Sequence, residues 1–358
     1  MTRTVVTTRI APAPRPSVLV EVADEEGRIG HGEIAPLPPF SREDAAGCQR
    51  ALARCAVLGP IDEALSAAEA IARSFELEPI SAALAEAPGA RFALETALVD
   101  LLAQRRGISV AALLGGGSYA DVPVNALLFA PPVETLADRA LALAAKGFSA
   151  IKIKLRAADE AGFSRELAAL VEVRARLPLP FELRLDPNAA WAPGEARARL
   201  ARLAAIAPRY VEQPVAAQDL PALGACAVPW AADESLVEPR LAERLLHAPG
   251  CAAFILKPAL IGLLAARDLA IRAQARGIEV VITHLFDGPF AMAAAAELAL
   301  SLPRPPLACG LAPHPDLPRF ADNLGGAEIP QLAVPGRVRS SGGPGLGVRT
   351  TWRSDERG

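Results

Sequence analysis

Eight side chains in this 358-residue sequence combine type and spacing in a way that could do chemistry: Lys152, Lys154, Asp186, Asn188, Glu212, Asp233, Glu234 and Lys257. Each stands at or near the end of a short, largely apolar run: AIKIKL, FELRLD, RYVEQP, VPWAADES and AAFILKP. Carboxylates from three such runs, brought within a few ångströms, would repel strongly unless a cation lay between them. All-oxygen ligation asks for a hard divalent ion, Mg2+ first, with Mn2+ as a substitute. Zinc is disfavoured, because the four histidines (His31, His247, His284, His314) show neither HxH nor HExxH spacing. Asp186 and Glu212 supply two ligands, and the adjacent Asp233 and Glu234 leave the third open by one residue. Lys152 and Lys154, two apart on a strand, share one face. Their closeness to each other, to a metal and to Lys257 would lower one pKa from about 10.4 towards the roughly 7–8 that suits a general base. A dication on one side and amines on the other define a task. The metal binds a substrate carboxylate and stabilises the enediolate that forms when a lysine takes the α-proton.

Side chains from separate runs meet only if the runs are parallel strands with their carboxyl ends on one face. Apolar, β-rich runs start near Val122, Ala150, Phe181, Arg209, Val228, Ala252, Ile278 and Pro305. Ala/Arg/Leu-rich helical stretches separate most of them, for example 134–146, 163–176 and 195–206. This alternation is the signature of βα units, and eight of them predict a closed barrel with its active face at the strand ends. An open doubly wound sheet would normally carry a Gly-rich phosphate loop after its first strand, and none follows VPVNALLF. Before the barrel, two β-type runs with a turn at Glu25-Glu26-Gly27 precede helical patterns over 42–58, 61–75 and 90–106, the last ending at Gly107. The expected fold is α/β: a (β/α)7β TIM-type barrel with an N-terminal α+β capping domain. The expected division is 1–118 for the cap, 119–325 for the barrel and metal site, and 326–358 for a segment packing back on cap or barrel. The glycine-rich stretch 340–347 reads as a loop over the outside of the barrel.

Composition narrows the functional classes. Lys and Arg total 37 against 40 Asp and Glu, a net charge of −3, which argues against a nucleic-acid partner. The longest weakly polar stretch, FAMAAAAELALSL, is too short for a membrane span and carries Glu297. Five scattered cysteines without CxxC spacing argue against a disulfide framework and fit a reducing cytoplasm. The expected partner is a small-molecule carboxylate, bound by a monomer or small homo-oligomer.

The motifs Lys152-Ile153-Lys154, Arg184-Leu185-Asp186-Pro187-Asn188, Glu212-Gln213-Pro214, Asp233-Glu234-Ser235 and Lys257-Pro258 resemble, in order and spacing, those of the muconate-lactonizing branch of the enolase superfamily. Within that branch, Gly32-Glu33-Ile34-Ala35-Pro36-Leu37-Pro38-Pro39-Phe40-Ser41 is similar to a segment typical of o-succinylbenzoate synthases of menaquinone biosynthesis. The resemblance implies that Asp186, Glu212 and Asp233 hold Mg2+, with Asp233 chosen over Glu234. Lys154 would be the base that returns its proton to a departing hydroxyl. Lys152 would tune it, and Lys257 would stabilise the enediolate. Asn188 and Arg184 would support ligands and substrate, and Glu234 and Ser235 would act only around the ligands. The implied reaction is syn dehydration of 2-succinyl-6-hydroxy-2,4-cyclohexadiene-1-carboxylate, a carbon–oxygen lyase activity, with the loop 36–41 closing over the substrate.

One departure falls after the seventh strand. The family usually has a small-residue run there, whereas this chain reads Thr283-His284-Leu285-Phe286-Asp287-Gly288. Thr283 and His284 thus become candidate substrate contacts. A rival reading is racemisation or epimerisation of N-succinylamino acids or dipeptides, with Lys154 and Lys257 as opposed bases. The DxD element of dipeptide epimerases is absent from the region Cys309 to His314. Two further classes are a Schiff-base aldolase using Lys257 and a non-catalytic barrel acting as a binding protein.

Overall fold

The computed structural model describes all residues except 1–3, 12–14, 63, 77, 117–118, 130–131, 158, 325–335, 341 and 351–358. The chain opens with strands β1 (Thr4–Ala11), β2 (Ser17–Ala23), β3 (Ile29–Ile34) and, after one helix, β4 (Val57–Leu58). They form an antiparallel sheet ordered β3-β2-β1-β4. On β1 buried and exposed residues largely alternate, whereas β2, paired along nearly its full length on both sides, is buried almost throughout. Helix Pro88–Arg106 lies directly on β3. The contact needs the glycines of that strand: a Cβ on Gly30 would meet the Ala97 carbonyl oxygen at 2.1 Å, and one on Gly32 the Ala93 oxygen at 2.0 Å. Gly107 ends the helix in the left-handed conformation, φ 65°, as its sequence signal predicted.

The first two helices are shorter than expected. Asp44 caps Ala45–Ala53 by accepting from the Gly47 amide, and Ser66 and Glu69 form a capping box for Ala67–Phe75. Val57 and Leu58, expected to be helical, instead extend as β4 and pair with β1.

After the short β5 (Asp121–Pro123), seven parallel strands follow: β6 (Ala126–Leu128), β7 (Ala150–Lys154), β8 (Glu182–Asp186), β9 (Tyr210–Glu212), β10 (Trp230–Ala232), β11 (Cys251–Leu256) and β12 (Glu279–Ile282). The eighth stave is only partly regular. Residues 307–310 join β12 through Leu307 N–H to Val280 and Gly310 N–H to Ile282. On their other side Cys309 N–H donates to Pro123, and Asn125 N–H donates to Cys309. The barrel is thereby closed as (β/α)7β, with its seam at the run PPLACGL.

Helix Pro289–Leu300 is buried on every side, which is why its sequence is apolar all round. Its one acid, Glu297, accepts from the Ala111 amide at 2.7 Å and ties it to the short helix Val110–Leu113 between cap and barrel. Among the described residues no helix is long and apolar enough to cross a membrane.

The C-terminal stretch does not run over the outside of the barrel. The strand Arg337–Arg339 pairs antiparallel with Asp121–Pro123. Leu346, 2% exposed, donates its amide to Asp100 of the cap helix, and Gly345 exchanges backbone bonds with Ile108 and Val110. The apolar Leu346 and the tight glycine turns explain why this segment tucks inward.

Candidate active site

Strand register brings the motif residues together. Lys154 stands opposite Asp186 across the β7–β8 ladder, and Lys152 opposite Arg184. The Lys154 Nζ lies 2.7 Å from Asp186 Oδ2 and 2.5 Å from Asn188 Oδ1. Lys152 Nζ lies 2.9 Å from the same Asp186 oxygen and also pairs with Glu212. Lys257, following β11, pairs with Asp233. Lys152 and Lys154 therefore do share the inward face, while Ile151 and Ile153, which alternate with them, are buried on the other side of the strand.

Asp186, Glu212 and Asp233 are all buried, and one oxygen from each lies within 4.8 Å of the others. At an effective dielectric of about 20, each pair of negative charges at that distance repels by roughly 3 kcal/mol. The electrostatics reflect the crowding. Burial, together with Asp186 and Asp233, pushes Glu212 well above the usual carboxylate range. Asp186 is held low by Lys152 and Lys154 despite its burial, and Asp233 is held low by Lys257. An all-oxygen donor set this close and this deeply buried fits a hard dication such as Mg2+. Of the Asp233–Glu234 pair, only Asp233 joins the cluster.

The expected lowering of a lysine pKa is not found at Lys152 or Lys257. Burial alone would lower both, but direct pairing with Asp186 and Glu212 raises Lys152 well above its ordinary value, and Asp233 raises Lys257.

Above this cluster opens a cavity of about 500 Å³. Its lining includes the polar Lys152, Lys154, Asn188 and Lys257 and the aromatic Phe40, Phe129, Phe148 and Phe286. The cap contributes through the loop 36–41, where Ser41 Oγ accepts from the Leu37 amide and the Phe40 and Ser41 amides donate to the Leu37 carbonyl. The Phe40 ring centroid lies 6.0 Å from Lys257 Nζ.

Other expected contacts sit differently. Arg184 is 1% exposed and lies outside the cavity lining. It is two residues short of Asp186 on the same face, so it falls one layer deeper in the barrel. There it donates to the Ala308 carbonyl at 2.5 Å, pairs with Glu182 at 2.7 Å and stacks over Tyr210. Arg184 is a floor residue rather than a substrate contact. Thr283 and His284 do line the cavity, but their polar atoms are committed to backbone. Thr283 Oγ1 lies within hydrogen-bond reach of the His284 and Gly310 carbonyls, and both His284 ring nitrogens have backbone partners.

Sequence reasoning passed over Gln213. Its carboxamide accepts from the amides of Asp233 and Ser235 and donates to Ser235 Oγ and the Val215 carbonyl, fixing the Asp233–Ser235 turn. A long amide locked between a carboxylate and a proline was the available signal. Phe129, ending the run VPVNALLF at a strand end, was another.

A closed barrel that gathers three carboxylates and three lysines at its strand ends under an α+β cap defines a class of metal-assisted acid–base enzymes. Residues 135–354 match the family described as Enolase C-terminal domain-like, and residues 2–115 match the Mandelate racemase / muconate lactonizing enzyme, N-terminal domain. The chain belongs to the mandelate racemase/muconate lactonizing group of the enolase superfamily. It is 30% identical over 299 residues to the L-Ala-D/L-Glu epimerase of Bacillus subtilis, covering 80% of this chain and 77% of that one. It is 33% identical over 232 residues to the o-succinylbenzoate synthase of Desulfotalea psychrophila, covering 62% of each. A crystal structure of a dipeptide epimerase from Methylococcus capsulatus complexed with Mg and the dipeptide L-Arg-D-Lys superposes with a TM-score of 0.79 at 26% identity, over 97% of this chain and 99% of that one. Mg2+ is thus bound in a solved relative, and this chain presents an acidic triad suited to it.

Proposed function

We propose that this enzyme abstracts the α-proton of a carboxylate substrate and that its reaction is the syn dehydration of 2-succinyl-6-hydroxy-2,4-cyclohexadiene-1-carboxylate to o-succinylbenzoate. One observation carries the choice over dipeptide epimerisation. The only carboxylates lining the cavity are Glu212 and Asp233, both in the metal cluster, so no acid among the described residues is left to pair with a dipeptide's free ammonium. The cap segment around Phe40, similar to that of o-succinylbenzoate synthases, supports the same reading.

In this reading Asp186, Glu212 and Asp233 hold Mg2+, which when bound supplies a Lewis acid for the substrate carboxylate. Lys154, acting as a free base, takes the α-proton, and the C–H electron pair delocalises onto the carboxylate. That pair then becomes the new ring double bond as the C–O bond breaks, and the hydroxyl leaves as water with the proton that Lys154 returns. Asn188 orients Lys154 through its contact with Nζ. Formal charge supports the assignment. With a dication, three carboxylates, cationic Lys152 and Lys257 and Lys154 as the free base, the site carries one net positive charge, matching the reacting ring carboxylate, with the succinyl carboxylate outside this count. Proton transfer to Lys154 raises that to two as the ring carboxylate takes on a second negative charge, so charge at the reacting end stays matched through the step.

A second reading, racemisation of an N-acylated amino acid, is supported by Lys154 and Lys257 standing four staves apart on opposite walls. Both readings predict that Lys154→Ala loses about 10²–10⁴ in rate. They separate in a spectrophotometric dehydration assay run beside deuterium exchange into N-succinylamino acids and dipeptides in D2O. Rapid exchange into dipeptides without water loss from the cyclohexadiene would sink the dehydratase reading.

A further inference from the structure

The loop after β12, residues 283–288, supplies none of the cluster acids and none of the three lysines. Its backbone is nevertheless pinned at every residue from Leu285 to Asp287. The Leu285 amide donates to Asp287 Oδ2 at 2.8 Å, and the Leu285 carbonyl accepts from Arg15 of the cap at 2.7 Å. The Phe286 amide donates to His284 Nδ1 at 2.9 Å. The Asp287 carbonyl lies 2.7 Å from His314 Nε2. Because Nδ1 of His284 accepts, its Nε2 carries the hydrogen and donates to the Ala312 carbonyl at 2.9 Å.

These bonds hold Phe286 at φ +56°, a left-handed conformation that a bulky residue adopts only when its surroundings over-determine it. The ring is fixed as well, edge-on to His284 at 5.4 Å and to His314 at 5.7 Å. Burial keeps His284 neutral, with its pKa near 4, so the clamp persists across ordinary pH. The held ring forms part of the cavity wall together with Phe40, Phe129 and Phe148. No charged side chain beyond the lysines and metal-cluster acids lines this cavity among the described residues.

We propose that Phe286 is the specificity-determining wall of the pocket, set against the carbon ring of a cyclic carboxylate by His284 and His314 acting as backbone-clamping, positioning residues. The proposal rests on the ring-acid reading above and extends it to the part of the substrate that does not react.

The test uses the Mg2+-loaded full chain and two probes, o-succinylbenzoate and the ring-less dicarboxylate succinate, with calorimetric Kd, KM, kcat and Tm as readouts. Phe286→Gly removes the wall at a backbone position that suits glycine, so Tm should not fall. Its affinity for o-succinylbenzoate should weaken at least about tenfold while succinate binding changes less than about twofold. His284→Ala should raise KM in the same direction with kcat nearly kept. His284→Asn should recover most of the loss, since its side-chain oxygen can accept from the Phe286 amide in an Asx turn. Unchanged o-succinylbenzoate affinity in Phe286→Gly, equal loss for both probes, or a wild type that binds no aryl carboxylate would each overturn the wall. Normal KM in a folded His284→Ala would overturn the clamp. Failure of the dehydratase reading looks different: wild type would leave the cyclohexadiene unreacted while the ring selectivity and its loss in Phe286→Gly persisted.

Discussion

The two ends of the cavity are built by opposite means. At the metal end, regular strands do the positioning: register alone puts Lys154 beside Asp186, and a two-residue period turns Lys152 and Lys154 to the same face. At the aromatic end the wall comes from irregular segments, the turn 283–288, the stretch after the eighth stave and the cap loop, all held by side chains grasping backbone. Regular hydrogen-bond ladders tolerate little drift, so they suit charged groups that must lie within hydrogen-bond distance of a reacting atom. Loops can change residue by residue without disturbing the barrel, so they suit the part of the pocket that selects a substrate.

If that division is correct, changes at the metal end should cost rate, and changes away from it should cost stability or selectivity. Asp186→Asn is the sharpest case. It removes a charge that contacts both Lys152 and Lys154, and turnover should fall by roughly 10³-fold or more, together with Mg2+ affinity measured by calorimetry. Retained turnover at saturating Mg2+ would break the comparison at its stronger side.

The floor comes next. Arg184→Met deletes a buried guanidinium and leaves Glu182 and the Ala308 carbonyl without their partner, so unfolding free energy should drop by roughly 3 kcal/mol while kcat of the folded fraction holds within a few-fold. A kcat collapse with normal stability would return Arg184 to the substrate. Gln213→Leu should cost less, about 1–3 kcal/mol, by leaving the Asp233 and Ser235 amides unsatisfied. Its diagnostic is weaker Mg2+ binding, since the turn carrying Asp233 loosens; an unaltered Mg2+ Kd would make Gln213 purely structural.

The same division explains what could be read from the chain. KxK, RLDxN, ExP, DES and KP sit at strand ends, where period-two alternation and the βα repeat already dictate a face and a direction. The barrel, Asp186 and Glu212 followed from that regularity, whereas the choice of Asp233 over Glu234 came from the family resemblance. Three features followed from neither. Arg184 obeys the same alternation as Asp186, and period alone carries no depth, so floor and mouth residues look alike. The lysine pKa values depend on which carboxylates pair with which amines, a matter of ångströms. The clamp on Phe286 rests on a left-handed backbone at a non-glycine residue, for which the sequence holds no local signal. The seam shows the intermediate case: PPLACGL was recognisable as a stave, but two prolines and a glycine reduce it to isolated bridges.

Where the two ends meet the cap, a smaller effect sharpens the contrast. Glu33, at the end of β3, is fully buried against the turn after β12. Its Oε2 accepts from the Phe290 amide at 3.3 Å, its Oε1 has no hydrogen-bond partner among the described residues, and Gly288 leaves the space it fills: a Cβ there would meet the carboxylate at 2.0 Å. Burial, with the nearby Asp287, raises its pKa from 4.5 to about 8, against the partial opposition of Arg15. A carboxyl whose folded pKa is raised stabilises the fold most below its unfolded value and loses that contribution as pH rises through the folded value. Stability should therefore decline from about pH 5 to pH 8 with a slope of up to about 1.4 kcal/mol per pH unit from this group. Asp287, also raised by burial, titrates in the same sense, so the informative quantity is the difference between wild type and Glu33→Gln. The amide keeps the shape and cannot ionise, and its denaturant-unfolding free energy should fall less steeply over pH 5–8 than that of wild type. Parallel pH curves for the two proteins would mean that Glu33 does not titrate in this range and that the cap meets the aromatic end through packing alone.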